Sequence, residues 1–415
     1  MTSFSTNPVF GDSDPRERGD SYADQSNRLL DLRDVSLATV QACVLLGAFS
    51  ITRGEAAAES IYYCTACRIA NFLDLVNRPS SDAIEREVNI RGMSLFSTFV
   101  HLLMRSVWWS LCMIDVWSST GVNLPRQMQR MENVPLPIDE VPFLIFRRGS
   151  VQTLGFNAAF SSASSLLAQM IKLNRILADI NSLNARTVAG TSTGVMLENE
   201  VMDLSNALND WHNNIPAYMH DTPSNLQRYA AQGLGRMFVA VYLGYYHFGQ
   251  LLFYQFLHGD CHSTILSAQF YASKCKFHAE ALCEIVYAAH SVPGCDVQYT
   301  MVGHILVIAS TVQIHTLLFS DNEEQIAAAR TRLERNFAIM SQLRTYWPTL
   351  DVCFTRLRAF HRACRSSMDE PFRLDQWMLR FLSEFAEPVN DKVVGSSTDM
   401  AWSLENIGTS PGGSV

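Results

Sequence analysis

From Ser36 onward, apolar residues return every three or four positions, the spacing that lines one face of a helix. In SLATVQACVLLGAF the rhythm selects Val40, Leu45 and Phe49. After a break at Gly54, IYYCTACRIANFLDL repeats it through Tyr62, Ala66, Ile69 and Leu73. Two such segments joined at a glycine predict a helical hairpin. The same period runs through residues 158–180, 197–213, 226–258, 267–289, 302–319, 323–346 and 350–365, with short Gly, Pro, Asn and Asp breaks between them. Alternating strand patterns with hairpin turns are missing, so the fold class expected is all-α, a large array of antiparallel helical hairpins.

The two ends lack this period. Residues 1–34, with Pro8 and Pro15, predict a loose N-terminal arm, and residues 387–415, ending GTSPGGSV, a polar unpacked tail. One domain is expected between them, over 35–386. Pro125, Pro135, Pro137 and Pro142 mark an irregular connection, because proline removes a backbone donor and disfavours helix in the residue before it. Residues 95–117 are apolar over a length that could span a bilayer, yet they carry His101, Arg105 and Asp115. Charges near the centre of a span are costly, so a buried helix is expected and no membrane partner.

Composition narrows the class. The chain has 415 residues, 48% hydrophobic and 17% charged, enough apolar material for a large core. Net charge is -8, and lysine occurs only at Lys172, Lys274, Lys276 and Lys392. With no basic run to neutralise phosphates, direct DNA binding is not expected. The ten cysteines are scattered, and Cys43, Cys112, Cys283 and Cys353 fall in apolar helical patterns, which reads as reduced core thiols.

Few residues suggest chemistry. Gly190-Thr191-Ser192-Thr193-Gly194 fits the nucleophile-elbow pattern, but no apolar strand precedes it, so a Gly/Thr loop is expected. Cys64 and Cys67 form a CxxC without a second pair and read as core residues. His258, Cys261 and His262 in LHGDCH offer three metal ligands and lack a fourth, so no metal is expected. The remaining histidines are dispersed, and no HExxH, P-loop or dinucleotide fingerprint is present. Trp108, Trp109 and Trp117, with Asp115 among them, project in different directions from one helix. They are read as a helix buried on several sides, or as one wall of an effector pocket formed by Trp108, Trp109, Asp115 and, from a later helix, Tyr245.

It is this segment that carries a family resemblance. Val107-Trp108-Trp109-Ser110-Leu111-Cys112-Met113-Ile114-Asp115, then Gly121 and Val134-Pro135-Leu136-Pro137-Ile138-Asp139-Glu140, resembles the arginine, double-tryptophan, aspartate and LP pattern of the fungal-specific transcription factor domain, the middle homology region of fungal zinc-cluster transcription factors. Its flanks are similar too: Ser36 to Ala42, then Ala66, Arg68, Ile69 and Ala70. Leu208-Asn209-Asp210-Trp211 with Ile215-Pro216, Tyr245-Tyr246-His247 with Leu251, Leu252 and Phe253, and Trp347-Pro348 extend the likeness to about Phe385.

The family pattern places an arginine directly before the block that begins at Val107, whereas here Arg91 is separated from Val107 by residues 92–106. Gly92-Met93-Ser94 can be encoded GGT-ATG-TCN, which contains the fungal donor GTATGT, and Ser106-Val107 as TCA-GTN, which contains the acceptor CAG. Removal keeps frame and restores Arg91-Val107-Trp108-Trp109. We therefore read 92–106 as translated from a retained intron.

The resemblance implies a nuclear transcriptional regulator of metabolic or secondary-metabolite genes. It would act through other transcription factors or coregulators and sense a small-molecule effector. The six-cysteine zinc cluster of the family has no counterpart before Cys43, so no cofactor is expected in this chain. An enzyme is not expected. The alternative reading is a small-molecule-binding protein or enzyme that reuses the helical domain.

Overall fold

The computed structural model describes residues 4, 7–11, 13–76, 94–129, 134–141, 162–257, 267–385 and 387–392, with backbone alone over 94–101. Among the described residues there are thirteen α-helices and no strand, so the fold is all-α. They are α1 (Asp20–Leu29), α2 (Leu37–Arg53), α3 (Ala56–Phe72), α4 (Ser94–Gly121), α5 (Leu166–Val188), α6 (Gly194–Asn214) and α7 (Pro223–Ala231). Then follow α8 (Gly235–Phe253), α9 (Ala268–Ser291), α10 (Met301–Phe319), α11 (Glu323–Arg344), α12 (Leu350–Ser366) and α13 (Gln376–Ser383).

Local signals set the ends of the first hairpin. The Ser36 hydroxyl accepts the Thr39 amide at 3.2 Å and starts α2, and Gly54, at φ 79°, stops it. A left-handed cap of this kind costs glycine little. The chain then reverses into α3. Gly47 allows the two helices to close, because a Cβ there would lie 2.5 Å from the Tyr63 ring. That contact explains a shift from the expected face: Leu45 is 71% exposed, whereas Cys43, Leu46 and Gly47 face inward.

Antiparallel pairs recur along the chain. α5 and α6 are joined by bonds from Trp211 to Gln169 and from Arg186 to Glu200. α8 and α9 pack Tyr245 on His278 and Phe253 on Tyr271, and α10 and α11 are joined by Asn336 to Ser310. The 226–258 segment, expected as one helix, is divided at Gly233 (φ 74°) into α7 and α8. α8 is buried almost all round and packs on α5, α6, α7, α9 and α10, which makes it the axis of the molecule. α10 is the one described helix long and apolar enough to cross a membrane; most of it is buried in this core.

The N-terminal arm differs from expectation. Residues 20–29 form a helix against α2, and Arg16 donates to the Arg344 carbonyl at 3.0 Å and to Asp351 at 3.3 Å. Arg53 holds the Arg16 carbonyl at 3.0 Å. Polar bonds pin this arm, with Ala23 the one buried residue of α1, so hydrophobic spacing gave no sign of it.

Among the described residues, two extensive apolar clusters form, with a small third one around Ala56 and Phe385. A large one surrounds α8 and includes helices from α4 to α13; a smaller one joins α2, α3 and α4 around Val40, Cys67, Trp108 and Trp109. At a rough 2 kcal/mol per large side chain removed from water, each of the two extensive clusters is a major source of stability. Where they meet, α3, α4, α5 and α8 leave a cavity.

Candidate functional site

The family-like segment turns out to be a set of fasteners for the connection between α4 and α5. The Asp115 carboxylate is 4% exposed and accepts the backbone amides of Gln127 (2.9 Å) and Met128 (2.8 Å) and the Ser119 hydroxyl (3.1 Å). Those bonds satisfy a buried charge and fix the chain where it leaves α4. Trp109 donates its indole N–H to the Pro135 carbonyl at 3.1 Å, and the Arg175 guanidinium lies 5.0 Å over its ring. Glu140 accepts the Leu166 and Leu167 amides at 3.0 and 2.9 Å and the Ser165 hydroxyl at 2.9 Å. It sits at the N-terminus of α5, where free amides and the helix dipole favour an anion. Trp108 fills the smaller core, its indole nitrogen buried without a partner among the described residues.

Tyr245 lies elsewhere. Its ring packs in the larger core against Trp211 (5.1 Å), His212 and His278 (both 5.3 Å). Trp108, Trp109, Asp115 and Tyr245 therefore do not converge on one cavity; Val107 is half-buried beside the smaller core, and Arg91 lies outside the described residues.

Residues 14–213 match the family model described as "Fungal specific transcription factor domain", and the match takes in α1 to α6 with all the fasteners just described. Over that segment, just under half of the chain, the match indicates a fungal transcription-factor regulatory domain. No curated protein and no solved structure matches the chain. The match ends at 213, so the likeness read from Tyr245 to Phe385 lies beyond it.

Within this domain the cavity occupies about 330 Å³, the lower end of small-molecule sites. One side is α4 through Ser110, Met113, Ile114, Trp117 and Ser118; α3 adds Glu59 and Tyr63, α5 adds Met170, Leu173 and Asn174, and α8 adds Leu243, Gly244 and Phe248. Met301, Ile305 and Phe385 close it. Trp117 is held by its N–H bond to Asn174 at 2.9 Å and stacks on His247 at 5.8 Å. Of the aromatic group read from sequence, Trp117 is the member that faces this space.

Glu59 is the one carboxyl in the wall, 3% exposed, with a hydrogen bond from Ser118. Burial raises its pKa to about 7, only partly opposed by that bond. Burial, with the neighbouring Glu59 charge, also raises Tyr63. Sequence reading missed Glu59 because a lone carboxylate in AAAESIYYCTAC looks like an exposed helix residue; its burial arises only when α4 crosses α3.

The other motifs are structural. Ser192 is fully buried in the α5–α6 loop and donates to Glu200 at 3.0 Å, with helices on both sides and no strand. Cys67 is buried and Cys64 partly so, and burial raises the Cys67 thiol, so the pair is core. His258, Cys261 and His262 lie outside the described residues. Among those described, no group of three ligands could hold a metal.

Proposed function

We propose that this chain acts in the nucleus as a transcriptional regulator of the fungal zinc-cluster kind, controlling metabolic or secondary-metabolite genes through contacts with other transcription factors or coregulators. The observation that carries this is the family match over 14–213, together with the bonds that hold Asp115 and Trp109 in a folded domain. Net charge -8 with four lysines supports protein contacts over direct DNA binding.

The test is to fuse the chain to a heterologous DNA-binding module in a fungal cell carrying its reporter and to measure transcription and nuclear accumulation. A reporter response of several-fold, up or down, with nuclear signal supports the reading. A silent reporter with purely cytoplasmic protein refutes it, as does tight sequence-selective duplex binding by the purified chain alone. A small-molecule-binding role is the second reading, favoured by the cavity beside Glu59.

A further inference from the structure

We propose that the cavity between α3, α4, α5 and α8 binds a small organic amine, with its apolar body among the aromatic and aliphatic walls and its ammonium at Glu59. The wall is mostly apolar, and its described residues include no lysine, arginine or histidine that could neutralise an acid. Glu59 is buried with a hydroxyl as its bonded neighbour and no described cation pairing with it. A carboxylate taken from water without a counter-charge is costly, whereas a bound ammonium supplies both charge and hydrogen-bond donors. An acid would meet repulsion at the same place.

The aromatic groups suit the same occupant. Tyr63 stands one turn beyond Glu59 on α3, and Trp117 is flanked by Phe248 at 5.9 Å and Phe385 at 6.5 Å. Their ring faces attract cations and accept flat apolar groups. A neutral alcohol of the same shape keeps the apolar contacts and loses the charge.

Position gives binding a consequence. The α3, α4 and α5 walls belong to the matched segment, while α8, Met301, Ile305 and Phe385 come from beyond it. An occupant would tie these two parts of the chain together and favour the arrangement in which they are closed. This regulatory effect rests on the proposed function; the binding does not, and it is measured separately.

The experiment is calorimetric titration of the full chain with phenethylamine, 2-phenylethanol and phenylacetate at pH 8, for the wild type and for Glu59→Gln and Met113→Trp. Circular dichroism confirms that each variant is helical. Phenethylamine is expected to bind saturably and at least tenfold more tightly than the alcohol, with phenylacetate weakest. Glu59→Gln should weaken the amine at least tenfold and leave the alcohol within twofold; Met113→Trp, which fills the space from α4, should abolish both. Failure of the amine to saturate at millimolar concentration, equal amine affinity in Glu59→Gln, or tighter binding of the acid overturns the proposal. A reporter that responds while the amine does not bind would sink this site and leave the regulator reading intact.

Discussion

Replacing Asp115 by alanine separates a structural carboxylate from a ligand-binding one. The change removes an acceptor of two backbone amides and one hydroxyl, at 2.8–3.1 Å. Hydrogen bonds to a charged group contribute about 1.5–3 kcal/mol each, but water can replace the carboxylate at the exposed Gln127. The amide of Met128, which is 6% exposed, has no such substitute. Counting one full bond, one discounted bond and the Ser119 hydroxyl left over, the cost is about 3 kcal/mol. Unfolding entropy of roughly 2.1 cal/mol/K per residue over 415 residues turns this into a melting shift of about 3–4 °C. Thermal denaturation followed by circular dichroism reads the shift, and amide exchange should show Gln127 and Met128 losing protection first. Asp115→Asn should be nearly as damaging, since its amide nitrogen would face a backbone donor. If both variants melt within 1 °C of wild type with unchanged exchange in the loop, the fastener account of this motif is wrong.

Other outcomes follow from buried charge and from the gene. Glu59 titrates at about 7 in the fold against about 4.5 when unfolded, so the folded state holds the proton more tightly and stability falls as pH rises from about 4.5 through about 7. The loss is on the order of 3 kcal/mol, and Glu59→Gln should flatten it in denaturant titrations at pH 5 and pH 8; an unchanged slope would refute the assignment. Arg356, fully buried, donates to the carbonyls of Phe381 and Glu384 and to that of Glu387 at 2.9 Å, capping the end of α13. Arg356→Met should cost about 3–5 kcal/mol and release protection across α13 in amide exchange; retention of that protection counts against the cap. Sequencing of cDNA across codons 92–106 is expected to show them spliced out, and a mature transcript that keeps them ends the intron reading. The described part of the segment continues α4, with Met104 packed in the smaller core, so its deletion by mutation should shorten that helix while the Trp108 and Trp109 packing survives.

Sequence alone determined the fold class and most helices, because a three-to-four residue apolar period and glycine or asparagine caps are local properties. It also singled out the Trp108, Trp109 and Asp115 segment, which lies inside the matched range, for its resemblance to the family pattern. What that segment does was decided only in three dimensions: Asp115 meets amides 12 and 13 residues away, and Trp109 meets a carbonyl 26 residues away. The effector wall read from Trp108, Trp109, Asp115 and Tyr245 is not gathered at the cavity, since indoles one position apart point to different neighbours and Tyr245 faces another core. Hydrophobic spacing missed α1, which is held by polar contacts of Arg53 with Asp20 and Tyr62 with Asn27, and it missed Glu59. Burial of that carboxylate depends on which helix crosses α3, and no pattern along α3 itself carries that information.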